Sequence, residues 1–362
     1  MKTILTVIGA RPQFVKASVI SRLIRSESWS EHFRELILHT GQHYDDNLSE
    51  VFFRQMAIPR PDFQLRVTES GHGGMTAQML DGIEKVLLNH RPDMVLVYGD
   101  TNSTLAGALA AAKLHIPLVH VEAGLRSYDK KMPEEQNRVL TDHLSDWLFC
   151  PTKTAVDNLA REGLTRGVAA VGDVMLDASL YYRHQLYQSG LADATGLAAL
   201  LPFNTAETPY VLVTIHRAGN TDNPDTLAQL VHIINSISMD VVLPLHPRTK
   251  QKMLDNGLSF QKHVHQLEPV GYLEMLWLEM NSKVIMTDSG GVQKEAYFLQ
   301  KPCITLREET EWTETVESGW NTLAGCNKDK VLETLENLSL PASHPDFYGD
   351  GQAGQKILNQ LL

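Results

Sequence analysis

The sequence has little cysteine, no long apolar run and no excess of basic charge, and each shortage removes a class of protein. Its three cysteines, Cys150, Cys303 and Cys326, stand far apart with no C-x-x-C pair. That spacing supports neither a disulfide framework nor a thiolate metal site, and inert buried thiols are the expectation. No apolar stretch reaches the roughly 18 residues that a membrane span needs. Met1-Lys2-Thr3 runs directly into Ile4-Leu5-Thr6-Val7-Ile8 and Gly9, too short for a signal peptide, so a cytoplasmic location is expected. Lys and Arg number 32 against 43 Asp and Glu, a net charge of -11. The basic footprint for nucleic acid or an anionic membrane is therefore missing, although a local Arg/Lys cluster and helix N-termini can still hold a small anion. None of the 15 histidines falls in H-E-x-x-H or another ligand spacing, so no metal is assigned. There is no full G-x-G-x-x-G, no G-x-x-x-x-G-K and no G-x-S-x-G elbow, and no cofactor is expected.

What is present is an α/β rhythm on a chain of 362 residues, long enough for two domains of roughly 170 residues each. Strand-like runs at 2–8, 36–38, 94–98, 117–121, 147–150 and 168–171 alternate with helical patterns, including 48–56, 75–89, 103–114 and 153–162. This alternation marks a doubly wound parallel sheet. The rhythm breaks between 181 and 209, then restarts at 210–214 and continues at 240–245, 263–267, 283–287 and 302–306. A junction in the 170s is expected, with residues 1–172 and 173–349 as two Rossmann-like domains and a terminal helix within 350–362.

Polar motifs gather at predicted strand ends, where open α/β sheets bind ligands. Gly9-Ala10-Arg11 follows the first strand, with Lys16 a turn later; Gly99-Asp100-Thr101 follows the strand at 94–98. Between 120 and 138 fall Glu122, Arg126, Glu134, Glu135 and Arg138, a concentration of charge expensive to bury without a task. His216-Arg217 closes the strand at 210–214, and His246-Pro247-Arg248 repeats the arrangement one strand later. Thr287-Asp288-Ser289-Gly290-Gly291 reads as a strand end and capped helix start, a ready diphosphate site, with Glu295 within reach of ligand hydroxyls. An ordinary capped helix and surface ion pairs are the plain alternatives for these last two features.

Taken in order, Gly9-Ala10-Arg11-Pro12, His39-Thr40-Gly41-Gln42-His43, Gly99-Asp100-Thr101, the run from His120 to Arg126, the run from Pro133 to Arg138, His216-Arg217, Thr287 to Gly291 and Tyr348 to Gly351 resemble the non-hydrolysing UDP-N-acetylglucosamine 2-epimerases across nearly the whole chain. The resemblance implies a glycosyltransferase-B-like fold of the UDP-glycosyltransferase/glycogen phosphorylase type, an interdomain active-site cleft, a homodimer and a UDP-sugar substrate. It implies acid/base roles for Asp100, Glu122 and Glu134, and a phosphate-side role for His216. Arg11, Lys16 and Arg138 match substrate-binding residues, Ser289, Gly290 and Gly291 the diphosphate turn, and Glu295 the ribose acid; uracil is placed near 269–276. Gln42, His43 and the Gly71-His72-Gly73 region align with a regulatory site for a second substrate molecule.

The implied chemistry is elimination of UDP with loss of the C2 proton, a glycal intermediate, and re-addition with inverted C2. It needs an acid, a base and cations for the departing diphosphate, and neighbouring carboxylates are expected to raise each other's pKa. Thr310-Glu311-Trp312-Thr313-Glu314 departs from the family's Thr-Glu-Arg-Pro-Glu and resembles the branch converting UDP-2,3-diacetamido-2,3-dideoxyglucuronate to its manno epimer for surface polysaccharides. Epimerisation of UDP-GlcNAc to UDP-ManNAc is the alternative; a hydrolysing epimerase, a glycosyltransferase and a non-catalytic nucleotide-sugar sensor stand behind it.

Overall fold

The computed structural model describes residues 1–42, 56, 58–188 and 196–362, apart from the side chains of Arg11 and Ala218. The helix expected at 48–56 lies outside these residues except for Met56, and His43 lies outside them too. The chain forms two compact units, Met1–Leu180 with Asp346–Leu362, and Tyr181–Pro345. The division falls inside the helix Val174–Gln188.

Among the described residues the first unit holds seven strands: β1 (Lys2–Ile8), β2 (Phe33–His39), β3 (Phe63–Gln64), β4 (Met94–Tyr98), β5 (Leu118–Val121), β6 (Trp147–Cys150) and β7 (Val168–Ala170). All are parallel, in the order β3-β2-β1-β4-β5-β6-β7. The run Met94-Val95-Leu96-Val97-Tyr98 is buried at every position, as a central parallel strand covered on both faces must be. Register pairs Val97 with Val7 on one side and His120 on the other, so β1, β4 and β5 end level with one another. Chain order reverses between β1 and β4, where the helices Arg11–Ile24 and Asn102–Lys113 depart to opposite faces and leave a crevice.

The helix His72–His90 begins three residues before the helical pattern read at 75–89. Gly73 and Gly74 sit in its first turn, where the cost of glycine is smallest because the N–H groups there lack helical partners anyway. Strand β3 spans two residues, too short for period-two alternation to register.

The final helix, Ala353–Leu361, buries Ala353, Ile357, Leu358 and Leu361 and packs on Arg11–Ile24. Both of its ends are tied. Asp177 accepts hydrogen bonds from the N–H groups of Ala353 (3.0 Å) and Gly354 (2.8 Å), and Lys2 Nζ donates to the carbonyls of Leu361 and Leu362, both at 2.8 Å.

The second unit repeats the plan with β8 (Tyr210–Thr214), β9 (Asp240–Pro244), β10 (Val264–Leu267), β11 (Val284–Thr287), β12 (Cys303–Thr305) and β13 (Asn321–Leu323), in the order β10-β9-β8-β11-β12-β13. Its core is drawn from inward residues of these strands, such as Val211, Val213, Leu243, Met286 and Ile304, with Leu227, Leu230 and Ile234 of the helix Pro224–Asn235. Its chain order reverses between β8 and β11.

Burial pushes Asp177 up to about 6, against the lowering effect of the Gly354 and Ala353 amides and of Arg22. A carboxyl raised in the folded state contributes stability that is complete below its ordinary value of 3.8 and lost as pH rises through about 6. Asp177→Asn is therefore expected to flatten, by on the order of 2 kcal/mol, the fall in unfolding free energy across that window. Urea titrations of both proteins at acid and neutral pH measure it.

Candidate active site

In the first unit the site is assembled from three level strand ends. Beyond β4, Gly99 adopts φ +62°, and beyond β5, Glu122 adopts φ +72°, a left-handed conformation that a residue with a side chain takes only when its surroundings hold it there. The N–H groups of Glu122 and Ala123 both donate to the Phe149 carbonyl of β6 at 3.1 Å, which holds that turn. Glu122 then meets Lys16, from the helix after β1: Lys16 Nζ lies 2.5 Å from Glu122 Oε1, and both residues are under a tenth exposed. A Cβ on Gly99 would lie 3.2 Å from that ammonium and 3.4 Å from that carboxylate, so the glycine lets the ion pair sit over the backbone turn.

Asp100 is held by the helix Pro133–Leu144. Arg138 donates to its carboxylate, Asn137 Nδ2 donates to its carbonyl at 2.9 Å, and its side chain keeps about a quarter of its surface exposed. Arg138 also donates to Glu135 at 3.0 Å. Instead of facing one another, Asp100 and Glu122 each face a cation.

The adjacent acids Glu134 and Glu135 are separated by the helix. Glu135 turns inward and accepts from the N–H groups of Ser127 (2.9 Å) and Tyr128 (3.0 Å), which makes it a brace for the loop after β5. Glu134 is exposed on the first turn, where the helix dipole favours a carboxylate. Arg126 is drawn away from the cluster: it binds Glu162 through two 2.7 Å bonds and Asp142 through a third. Burial lowers its tendency to hold a proton, but the bonds to Glu162 and the Asp142 charge outweigh that and keep it charged. Arg11 opens the helix Arg11–Ile24. Gln42 Oε1 accepts from the N–H (3.0 Å) and hydroxyl (2.7 Å) of Ser103 at the start of the helix after β4.

In the second unit, His216 follows β8 and Ser289 follows β11, the two strands where chain order reverses. The fully buried Asp288 joins them, accepting from the N–H groups of His216 (3.1 Å) and Arg217 (3.0 Å) and from Asn220 Nδ2 (3.1 Å). Its carboxyl is pulled low: burial acts upward, but the His216 side chain and the two backbone donors prevail. His216 Nδ1 donates to Asp288 at 3.2 Å, and its half-exposed ring presents the other nitrogen outward.

Ser289 caps the helix Gly290–Phe298, accepting from Val292 N at 3.5 Å. Gly290 permits a close approach: a Cβ there would fall 2.4 Å from Glu311 Oε1 and 3.3 Å from Trp312 Nε1, which puts the Thr310–Glu314 stretch over the same helix start. Lys294 Nζ stands 4.2 Å from the centre of the Trp312 ring. Glu295 is buried on this helix; burial and then the Glu295 charge raise the neighbouring Glu279 and hold it neutral. His246, matched with His216 by sequence, instead caps its own helix, Nδ1 accepting from Arg248 N at 3.2 Å. Among the described residues no group of three His, Cys, Asp or Glu is placed to hold a metal ion, and no helix is long and apolar enough to cross a membrane.

A family model described as UDP-N-acetylglucosamine 2-epimerase matches residues 27–362. The chain belongs to the UDP-N-acetylglucosamine 2-epimerase family. It is 50% identical to the UDP-2,3-diacetamido-2,3-dideoxy-D-glucuronate 2-epimerase of Pseudomonas aeruginosa, with 99% of each chain covered. It is 48% identical, at the same coverage, to a UDP-N-acetylglucosamine 2-epimerase homolog of Methanococcus maripaludis. Among solved structures, the Methanocaldococcus jannaschii UDP-GlcNAc 2-epimerase in complex with UDP-GlcNAc and UDP superposes with a TM-score of 0.90 at 41% identity, covering 99% of both chains. This epimerase is thus an isomerase with the family's glycosyltransferase-B-like pair of Rossmann-like domains.

Two positions that the sequence reading did not single out matter in this epimerase, Asp288 and Asn137. Each lies inside a quoted motif, but its role depends on which strand end it reaches. Replacing Arg138 by Met leaves Asp100 and Glu135 without their shared cation. It is expected to destabilise the fold by about 3–5 kcal/mol, read by urea unfolding, as for a buried pair that loses one partner.

Proposed function

We propose that the protein inverts C2 of a UDP-2-acetamido sugar without net hydrolysis, and that its substrate is UDP-2,3-diacetamido-2,3-dideoxyglucuronate, which it converts to the manno epimer. The reading rests on two carboxylates, Asp100 and Glu122, at neighbouring strand ends in the first unit, each held by a buried cation. The choice of sugar rests on the likeness to the Pseudomonas aeruginosa enzyme and on Trp312, which stands where the wider family has arginine and lies beside Gly290.

In this reading the helix start at Ser289, Gly290 and Gly291 holds the diphosphate, Glu295 holds the ribose, and His216, oriented by Asp288, faces the phosphate side. Arg11 and Lys16 help to hold the departing anion. The C2 hydrogen is not next to a carbonyl, so a side chain cannot remove it unaided. As UDP leaves C1, positive character there acidifies C2–H, and a carboxylate takes the proton to give a glycal. Return of a proton to the other face and re-addition of UDP complete the inversion. Asp100, Glu122 and Glu134 are the proposed acid/base groups, with Arg138 holding the Asp100 carboxylate in place. A homodimer acting in the cytoplasm, with a regulatory contact at Gln42 and His43, completes the reading.

Incubation with each UDP-sugar in D₂O, followed by NMR, is expected to place deuterium at C2 with UDP still attached, the diacetamido uronate reacting faster than UDP-GlcNAc. Incorporation from neither substrate would sink the proposal; free UDP and free sugar as main products would favour a hydrolysing enzyme. Glu122→Gln is expected to slow exchange by about 10²–10⁴-fold while UDP affinity, measured by calorimetry, stays close to that of the wild type.

A further inference from the structure

His120 lies on β5 two residues before Glu122 and is completely buried. Its Nε2 lies 2.8 Å from the Gly99 carbonyl, and a carbonyl only accepts, so Nε2 carries a hydrogen. Its Nδ1 lies 2.7 Å from Asp142 Oδ1. Asp142 Oδ2 accepts from Arg126 Nη1 at 2.7 Å and from Gly124 N at 3.1 Å. Burial acts to raise this carboxyl, but His120 and Arg126 together draw it below the ordinary value, so it is ionised and accepts on both oxygens. The ring thus bridges Asp142 and the Gly99 carbonyl, one nitrogen to each.

Other titratable groups face the partners of this ring. Asp142 and Glu162 face His120 and Arg126, His143 approaches Glu162 from the rim at 3.2 Å, and the Cys150 thiol is pushed up by burial and by Asp142. On the far side of Gly99 stands the Lys16–Glu122 pair.

This bond joins two strand ends that carry chemistry. Gly99 N donates to the Val121 carbonyl at 3.0 Å, and the Gly99 carbonyl accepts from His120, so both polar groups of the glycine are clamped to β5. Glycine itself resists no rotation, and the next residue is Asp100. Glu122, just past the end of β5, stands two residues along the chain from the same ring. The cations of Asp100 and Glu122 come from different helices and do not tie the two acids to each other.

We propose that His120 is a positioning residue, which, held by Asp142, grips the Gly99 carbonyl and thereby fixes Asp100 relative to Glu122. What the two acids do once placed rests on the epimerase reading above. The arrangement resembles a buried aspartate orienting a catalytic histidine, except that here the ring works on backbone and never meets substrate.

Two substitutions divide the ring's functions. In His120→Gln the amide nitrogen falls near the former Nε2 and can still donate to Gly99; in His120→Asn it falls near Nδ1 and reaches only Asp142. The expected result is C2 exchange close to wild type for the Gln variant. For the Asn variant a loss of about 100-fold in kcat with KM unchanged is expected, the scale of a catalytic group displaced by an ångström. Circular dichroism should show both variants folded. NMR of ¹⁵N-histidine-labelled wild type should show a hydrogen on His120 Nε2. Full activity in the Asn variant, equal losses in both variants that track lost folded protein, or a bare Nε2 would each overturn the proposal. If the wild type gives no C2 exchange, the epimerase reading fails by itself. A crystal structure of His120→Asn then decides the positioning role, with a displaced Gly99–Asp100 turn expected and an unmoved turn against it.

Discussion

Charge taken out of water at the end of a parallel sheet has to be neutralised where it lies, and that requirement organises the first unit. Lys16 and Glu122, Arg138 with Asp100 and Glu135, and Asp142 with His120 and Arg126 are all largely buried, and apart from Glu135 with Arg138 the partners come from different strand ends or helices. Removing any one member would leave its partner uncompensated in a medium where desolvation costs several kcal/mol per ion. The pairs therefore act as staples that hold β4, β5 and the helix Pro133–Leu144 in register, and the acids proposed for proton transfer are held by the same staples.

The second unit meets a similar demand by different means. Its proposed anion site is made of backbone N–H groups at a helix start, which need no counter-charge of their own, and the buried Asp288 fixes the neighbouring turn by accepting from two amides and His216. Both units place these features where chain order reverses, β1/β4 in one sheet and β8/β11 in the other. One topology thus supplies a cluster of paired charges in the first unit and a capped helix start in the second, and the difference lies in the few residues that follow each strand.

Much of the fold was legible in the residues. Continuous apolar runs such as Met94 to Tyr98 announce buried parallel strands, and their alternation with helical periods announces a doubly wound sheet. The short strands β3 and β13 were missed because two or three residues carry no period. At the site, the cap at Ser289 could be read from composition, since a serine followed by two glycines after a strand has few other uses. The split of labour between Glu134 and Glu135 could not: the two are chemically identical neighbours, and only the rotation of about 100° per residue in a helix sends one inward and leaves the other exposed. The role of His246 was not legible for a similar reason, because a histidine before proline serves equally as ligand or cap until its neighbours are placed.

By itself the sequence determined the two α/β units, the strand ends at which polar residues collect, and the family to which the chain belongs, because each of these is written in local pattern and in motif order. Tertiary structure decided which charges are partners. Glu122 meets Lys16 across 106 positions, Asp100 meets Arg138 across 38, and Asp177 reaches the helix at Ala353 across 176. No local preference encodes such pairings. They follow from strand order and register, which set which ends stand level, and from burial, which requires every charge brought there to find a partner.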